Sequence, residues 1–308
     1  MAWNLDNLTD QNGRIIVITG GNSGIGYEAA KALVGKGARV IIACRDVSKA
    51  ESACDAIEAS GGPGTIESVS LNLACLDSVA QCAEELHARC EQLDVLVNNA
   101  GVMGVPRRET EDGFELQIGT NHFGHFALSA QLFPLLNAAE DARLVTVSSL
   151  AHQFGFINFV NLQGQYFYDP WAAYGQSKLA NLLFTYELDR RCRSAGLDVL
   201  SVACHPGISS TNLAYAGPRM SGSPLGETLV QFYTNIIAQP AELGALPTLY
   251  AGFGVDIEGG DYTGPDGLGE MRGNARKVNS SFVSRSAAVA RRLWQATEEA
   301  TGIEFYVG

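Results

Sequence analysis

Ile15-Ile16-Val17-Ile18-Thr19-Gly20-Gly21-Asn22-Ser23-Gly24-Ile25-Gly26 is the stretch on which the fold turns. Four β-branched apolar residues in a row specify a short strand buried on both faces. A glycine-rich turn follows, and residues 27–33 have helical composition. Strand, turn and helix together make an anion site. Glycine lets the backbone turn tightly and approach a ligand closely. The helix start aims unpaired N–H groups and a partial positive charge at that ligand. A pyrophosphate is the usual occupant. Taken alone, the stretch also reads as an ordinary strand–helix turn in which glycine serves sterics only.

Outward from this stretch, strands and helices alternate. Strands are expected at 39–44, 65–73, 94–98, 142–148, 197–204 and 260–263, and helices at 48–60, 76–90, 114–136, 171–193 and 241–252. This pattern predicts an α/β fold, a doubly wound parallel sheet with both faces covered. In such a sheet ligands gather at the carboxyl ends of the strands. The polar and glycine-rich residues converge there: the glycine turn, Arg45 after strand two, Asn72 within the end of strand three, Asn98-Asn99-Ala100-Gly101 after strand four, Ser148-Ser149 after strand five, and Pro206-Gly207 after strand six.

No linker, repeat or low-complexity block divides the 308 residues, so a single Rossmann-type domain over 1–308 is the simplest organisation. A net charge of −12 argues against nucleic acid and anionic membrane as partners. The seven cysteines form no Cys-x-x-Cys pair, which suits free thiols in a reducing compartment. His122 and His125 have no metal-binding pattern around them and read as packing histidines, so no metal is expected. The N-terminus lacks a basic, then apolar, signal, and no run is long enough to span a membrane. A soluble cytoplasmic protein is the expectation.

Tyr174-Gly175-Gln176-Ser177-Lys178 carries the chemistry. Asp169-Pro170 upstream is a helix start, with Asp as cap and Pro at the first position. Tyr174 and Lys178 then share one helical face. A fixed ammonium favours phenolate, so Lys178 is expected to lower the Tyr174 pKa and make it a general acid or base. A surface Tyr–Lys pair on an amphipathic helix is the bland alternative.

Thr19-Gly20-x-x-x-Gly24-x-Gly26, Asn98-Asn99-Ala100-Gly101, Asn121, Ser149, Tyr174-x-x-x-Lys178 and Pro206-Gly207 stand in the order and spacing of the short-chain dehydrogenase/reductase family, which the chain resembles over about residues 12–300. Within it the chain looks most like the retinol-dehydrogenase-like and WW-domain-oxidoreductase-like branch. The strings that carry this are Ala43-Cys44-Arg45-Asp46, Asn121-His122-Phe123-Gly124-His125-Phe126, Val147-Ser148-Ser149-Leu150-Ala151-His152, Ser177-Lys178-Leu179-Ala180-Asn181 and Tyr262-Thr263-Gly264-Pro265, with Leu293-Trp294 beyond.

The resemblance implies a hydride transfer between a nicotinamide cofactor and a small-molecule carbonyl/alcohol pair. Tyr174 would exchange the proton with the substrate oxygen. Lys178 would lower the Tyr174 pKa and hold the nicotinamide ribose. Ser149, preferred over Ser148, would hydrogen-bond the substrate oxygen. Asn121 would help hold a relay water that reaches Lys178. The cofactor would lie along Gly20, Asn22, Ser23, Gly24, Ile25, Gly26, Arg45, Asn72, Leu73, Asn99, Ala100, Gly101, Pro206, Gly207 and Thr211, besides Tyr174 and Lys178. Asn72 stands where the family commonly has Asp, and its amide can still accept and donate.

Arg45 lies 19 residues beyond Gly26, where an acid would select NAD(H) and an Arg accommodates a 2′-phosphate. NADP(H) is therefore favoured over NAD(H), with Asp46 expected to cap the following helix. Ser149 and Tyr174 are separated by 25 residues, longer than in most of the family. The added length carries Phe154, Phe156, Phe159, Tyr166, Phe167, Tyr168 and Trp171. These aromatics either wall a bulky apolar substrate or pin the loop to the body. Substrate selectivity is expected in the loops 150–173 and 208–240. A non-catalytic dinucleotide sensor on the same fold is the competing reading, and the complete Asn121–Ser149–Tyr174–Lys178 set speaks against it. A sugar-nucleotide epimerase would need a different glycine spacing. A homo-oligomer is left open.

Overall fold

A computed structural model of the chain describes residues 2–209 and 238–308. Its strands are β1 (Ile15–Thr19), β2 (Arg39–Cys44), β3 (Thr65–Ser70), β4 (Val95–Asn98), β5 (Ala142–Val147), β6 (Val199–Cys204), β7 (Tyr262–Pro265) and β8 (Ala275–Lys277). They form one sheet in the order β3-β2-β1-β4-β5-β6-β7-β8. All neighbours are parallel except β8, which runs antiparallel to β7. The order reverses between β1 and β4, so the glycine turn after β1 opens into the crevice where such sheets bind ligands.

The described helices are α1 (Gly24–Val34), α2 (Val47–Ala59), α3 (Leu76–Arg89), α4 (Leu116–Ile118), α5 (Gly124–Asn137), α6 (Pro170–Ala195), α7 (Ala241–Phe253) and α8 (Ala287–Thr301). Strand side chains alternate between faces. Ile16 and Ile18 of β1 pack with α1, α2 and α7, while Val17 packs on the other face with α3, α5 and α6. Both faces are thus buried, as the continuous apolar run requires. No helix among the described residues is long and apolar enough to cross a membrane.

Four expectations are corrected. The helix expected over 114–136 runs on from Leu116 to Asn137 but carries a π-helical turn, Gly119–Phe123, between α4 and α5, with right-handed helical backbone at both junctions. Close approaches flank that turn. A Cβ on Gly119 would lie 2.6 Å from Thr110 Cγ2, and one on Gly124 would lie 2.3 Å from the Leu73 carbonyl oxygen. Second, β3 ends at Ser70, so Asn72 lies beyond the strand, where its Oδ1 accepts from the Ala74 N–H at 3.2 Å and closes a turn. Third, α1 starts at Gly24, inside the glycine turn. Fourth, β8 and α8 are additional elements. Helix α8 places Trp294 against Phe126, Phe184 and Phe305, with ring centroids 5.0, 5.7 and 4.9 Å away. Nothing local in residues 275–277 marks a strand; pairing with β7 makes it one.

Candidate active site

Helix α6 begins as its sequence dictates. The Asp169 carboxylate accepts from the N–H groups of Trp171 and Ala172 at 3.0 and 2.8 Å, with Pro170 at the first position. One turn in, Tyr174 and Lys178 are both buried. The Lys178 Nζ lies 5.9 Å from the Tyr174 ring centroid and donates to the Val147 carbonyl at 3.0 Å. Loss of hydration lowers the Lys178 pKa to about 8. The same burial pushes the Tyr174 phenol up to about 12, opposed by its hydrogen bond with Ser149. The expected lowering of Tyr174 by Lys178 is therefore corrected for the protein without cofactor. Desolvation dominates, and Lys178 is not among the groups that shift the phenol.

The two serines after β5 divide by face. Ser148 Oγ donates to the Lys178 backbone carbonyl at 2.8 Å and ties α6 to the sheet. Ser149 is the one directed at Tyr174. Its hydroxyl also accepts from the Ala151 N–H at 3.2 Å, capping the short turn Leu150–Phe154. Behind it, the His152 Nδ1 donates to the Ser149 carbonyl at 2.6 Å while Nε2 accepts from the Ser281 N–H at 3.1 Å. This pair of partners fixes the tautomer, because a carbonyl only accepts and an amide only donates.

Asn121 sits in the π-helical turn with its side chain fully engaged. Oδ1 accepts from the Val102 N–H at 2.8 Å, and Nδ2 donates to the Val102 carbonyl and to Ser177 Oγ, each at 2.9 Å. Ser177 Oγ in turn donates to the Tyr174 carbonyl at 2.8 Å. The loop after β4 is thereby bolted to α6. Gly101 faces this junction: a Cβ there would lie 2.9 Å from Asn121 Oδ1 and 3.6 Å from Lys178 Nζ.

The opposite wall is the glycine turn. Gly20 has φ +67°, a left-handed conformation that disfavours any side chain. A Cβ on Gly26 would meet Asn99 Nδ2 at 2.6 Å. Asn99 Nδ2 donates to the Thr19 carbonyl at 2.8 Å, and the N–H groups of Asn99 and Ala100 both donate to Thr19 Oγ1 at 2.9 Å. Ser23 is the N-cap of α1 and makes no side-chain cap. Among the described residues no side chain accepts from the first N–H groups of α1, at Gly24, Ile25 and Gly26, with Asn22 and the exposed Ser23 at the rim. An uncapped helix start beside glycines that admit a close approach fits a dinucleotide pyrophosphate.

Arg45 is exposed after β2. Asp46 accepts from the Lys49 N–H at 3.1 Å and pairs with Lys49 Nζ at 2.7 Å, so it caps α2 as expected. Asn72 Nδ2 donates to Glu111 at 3.1 Å, and Leu73 is buried behind it. After β6, the Pro206 carbonyl accepts from Ser209 Oγ and Gln239 Nε2 at 2.8 and 2.9 Å. Gly207 has φ +64° and packs against the Met271 carbonyl. Thr211 and most of the 208–240 loop lie outside the described residues.

The aromatic loop is pinned to the body at two points. Tyr168 pins it: its hydroxyl donates to the Val105 carbonyl at 2.8 Å and accepts from Gln117 Nε2 at 2.8 Å. Phe159 pins it too, under the Arg292 guanidinium at 4.0 Å. Phe154, Phe156, Tyr166, Phe167 and Trp171 are exposed. Trp171 is edge-on to Tyr174 at 6.3 Å.

Thr19, His125 and His152 belong to the site's frame; each stands within one of the motif strings, which assigned it no role. His125 had a usable signal, since it lies four residues after Asn121, within reach of that residue's carbonyl. His152 likewise lies three residues after Ser149, within reach of its carbonyl, but its second partner, Ser281, is remote in sequence.

The sequence profile describing short chain dehydrogenases matches residues 14–219. Retinol dehydrogenase 11 of Mus musculus is 38% identical over 94% of this chain and 87% of its own length. Retinol dehydrogenase 13 of Homo sapiens is 37% identical over 95% of this chain and 86% of its own. A crystal structure of a Mycobacterium paratuberculosis protein superposes with a TM-score of 0.82 at 40% identity, covering 99% of this chain and 100% of that one.

Proposed function

Since the chain belongs to the short chain dehydrogenase family, we propose that it is an NADP(H)-dependent oxidoreductase interconverting a bulky apolar carbonyl compound and its alcohol. The observation that supports this most is the buried Tyr174, hydrogen-bonded to Ser149, with Lys178 one turn on and the uncapped start of α1 across the crevice. The nicotinamide supplies or accepts the hydride. In reduction, Tyr174 gives its phenol proton to the carbonyl oxygen while Ser149 Oγ donates a hydrogen bond to that oxygen as charge develops on it. The Lys178 ammonium stabilises the phenolate left behind and holds the nicotinamide ribose. Asn121, by locking Val102 and Ser177, holds the loop after β4 against α6.

Arg45 supports the NADP(H) preference. Its guanidinium is exposed at the crevice edge, and Asp46, the acid that would favour NAD(H), is committed to capping α2. The exposed aromatics at 154–171 and the retinol dehydrogenase relatives support an apolar substrate. Steady-state kinetics with NADPH and NADH over a carbonyl panel, from acetaldehyde-sized compounds to retinal-sized ones, tests the reading. Arg45→Ala should raise the KM for NADPH about 10- to 100-fold and leave that for NADH nearly unchanged. A wild-type KM lower for NADH would overturn the Arg45 assignment, and no turnover of any carbonyl would overturn the activity.

A further inference from the structure

Thr19, Asn99, Ala100 and Asn121 come from three separate elements, yet one buried side chain joins them. His125, in the first turn of α5, sets Nδ1 3.0 Å from the Asn121 carbonyl and Nε2 2.9 Å from Thr19 Oγ1. Thr19 Oγ1, at the end of β1, already accepts the N–H groups of Asn99 and Ala100. The protons follow from the partners. A carbonyl can only accept, so Nδ1 carries the hydrogen and Nε2 accepts the Thr19 hydroxyl proton. That proton's direction leaves the Thr19 lone pairs facing the two amides. Burial holds the imidazole well below its ordinary range, at about 4, so the neutral tautomer persists.

We propose that His125 is a positioning residue that holds the cofactor-binding turn after β4 and the Asn121 segment in one register across the site. Its ring is buried and its two hydrogen bonds go to Thr19 and Asn121, so it acts through them. Each ring nitrogen governs one half of the reaction. Nε2, through Thr19, sets the Asn99–Ala100 backbone that faces the cofactor. Nδ1 sets the turn that locks Val102 and Ser177 beside Tyr174. The assignment of these halves to cofactor binding and turnover rests on the hydride-transfer reading above.

Two substitutions separate the halves. His125→Asn reaches only to the Nδ1 position and keeps the Asn121 bond. His125→Gln reaches the Nε2 position and keeps the Thr19 bond. Fluorescence titration with NADPH and with NADH, and kcat at saturating cofactor, are measured for both. H125N is expected to weaken cofactor binding about tenfold with kcat within about threefold of wild type. H125Q is expected to bind cofactor within about threefold while kcat falls about tenfold. Thr19→Val should reproduce the binding loss, and Thr19→Ser should restore it. Amide hydrogen exchange at Asn99 and Ala100 in the cofactor-free protein reads the same coupling without turnover, and should be faster in H125N than in H125Q. Equal losses in both parameters that track thermal stability, or equal exchange in the two variants, would overturn the proposal. Failure of the wild type to turn over any carbonyl, with the exchange difference intact, would overturn the activity but not the coupling.

Discussion

Replacing Lys178 by Met should make the cofactor-free protein more stable and inactive. The ammonium is buried and its pKa falls from 10.5 to about 8. Each tenfold loss of proton affinity is worth about 1.4 kcal/mol, so holding this charge in the site costs about 3 kcal/mol at neutral pH. Met has similar length and no charge to desolvate. The substitution gives up one hydrogen bond to the Val147 carbonyl, worth about 1 kcal/mol, but that oxygen still accepts from Asn181 Nδ2 at 3.2 Å. A net gain of about 2 kcal/mol remains. The sign with pH follows from linkage. The penalty is fully present below about pH 8, where Lys178 is charged in both states. It is relieved as pH rises toward 10.5, because the folded protein releases its proton first. Urea denaturation of wild type and K178M over that range should show the variant ahead at pH 7 and the gap closing with alkalinity. A variant less stable than wild type at neutral pH, or a gap indifferent to pH, would refute the reasoning.

Tyr174→Phe should lower turnover about 10²- to 10⁴-fold while cofactor affinity, followed by fluorescence, stays nearly unchanged. Because burial holds the Tyr174 phenol up near 12, alcohol oxidation, which needs the phenolate, should rise with pH up to about 8, where Lys178 begins to lose the ammonium that stabilises it; a pH-independent oxidation rate below that point would count against Tyr174 as the base. Trp294→Ala should cost about 3–5 kcal/mol in urea denaturation, since its buried ring stacks on Phe184 and lies tilted against Phe305. Replacing the exposed Phe156 and Phe167 together by Ser should raise the KM for a retinal-sized carbonyl and leave that for a small aldehyde and the denaturation midpoint unchanged.

Much of this molecule is local chemistry and therefore readable along the chain. The apolar run at Ile15–Ile18 demands burial on both faces, and β1 has it. Asp46 and Asp169 cap the helices that follow them because a short carboxylate beside free N–H groups needs no distant partner. The choice of Ser149 over Ser148 was open to the period-two alternation of a strand, but only packing against α6 decides which face holds Tyr174. Distant contact decides the rest. The Leu73 carbonyl and Thr110 leave no room for a Cβ at Gly124 and Gly119, which flank the π-helical turn. Edge pairing with β7 makes residues 275–277 a strand, and the rings of α5 and α6 seat α8. Desolvation, a property of the finished interior, sets Tyr174 at about 12 against the direction that a neighbouring lysine suggests. The bond from His125 to Thr19 spans 106 positions and exists only once β1 and α5 have met. Sequence by itself determined the family and the sheet and nominated the candidate reacting side chains, because residue type and spacing carry them. Protonation, the orientation of the serines and the frame behind the site were decided only by the tertiary structure, because they depend on which groups lose water together.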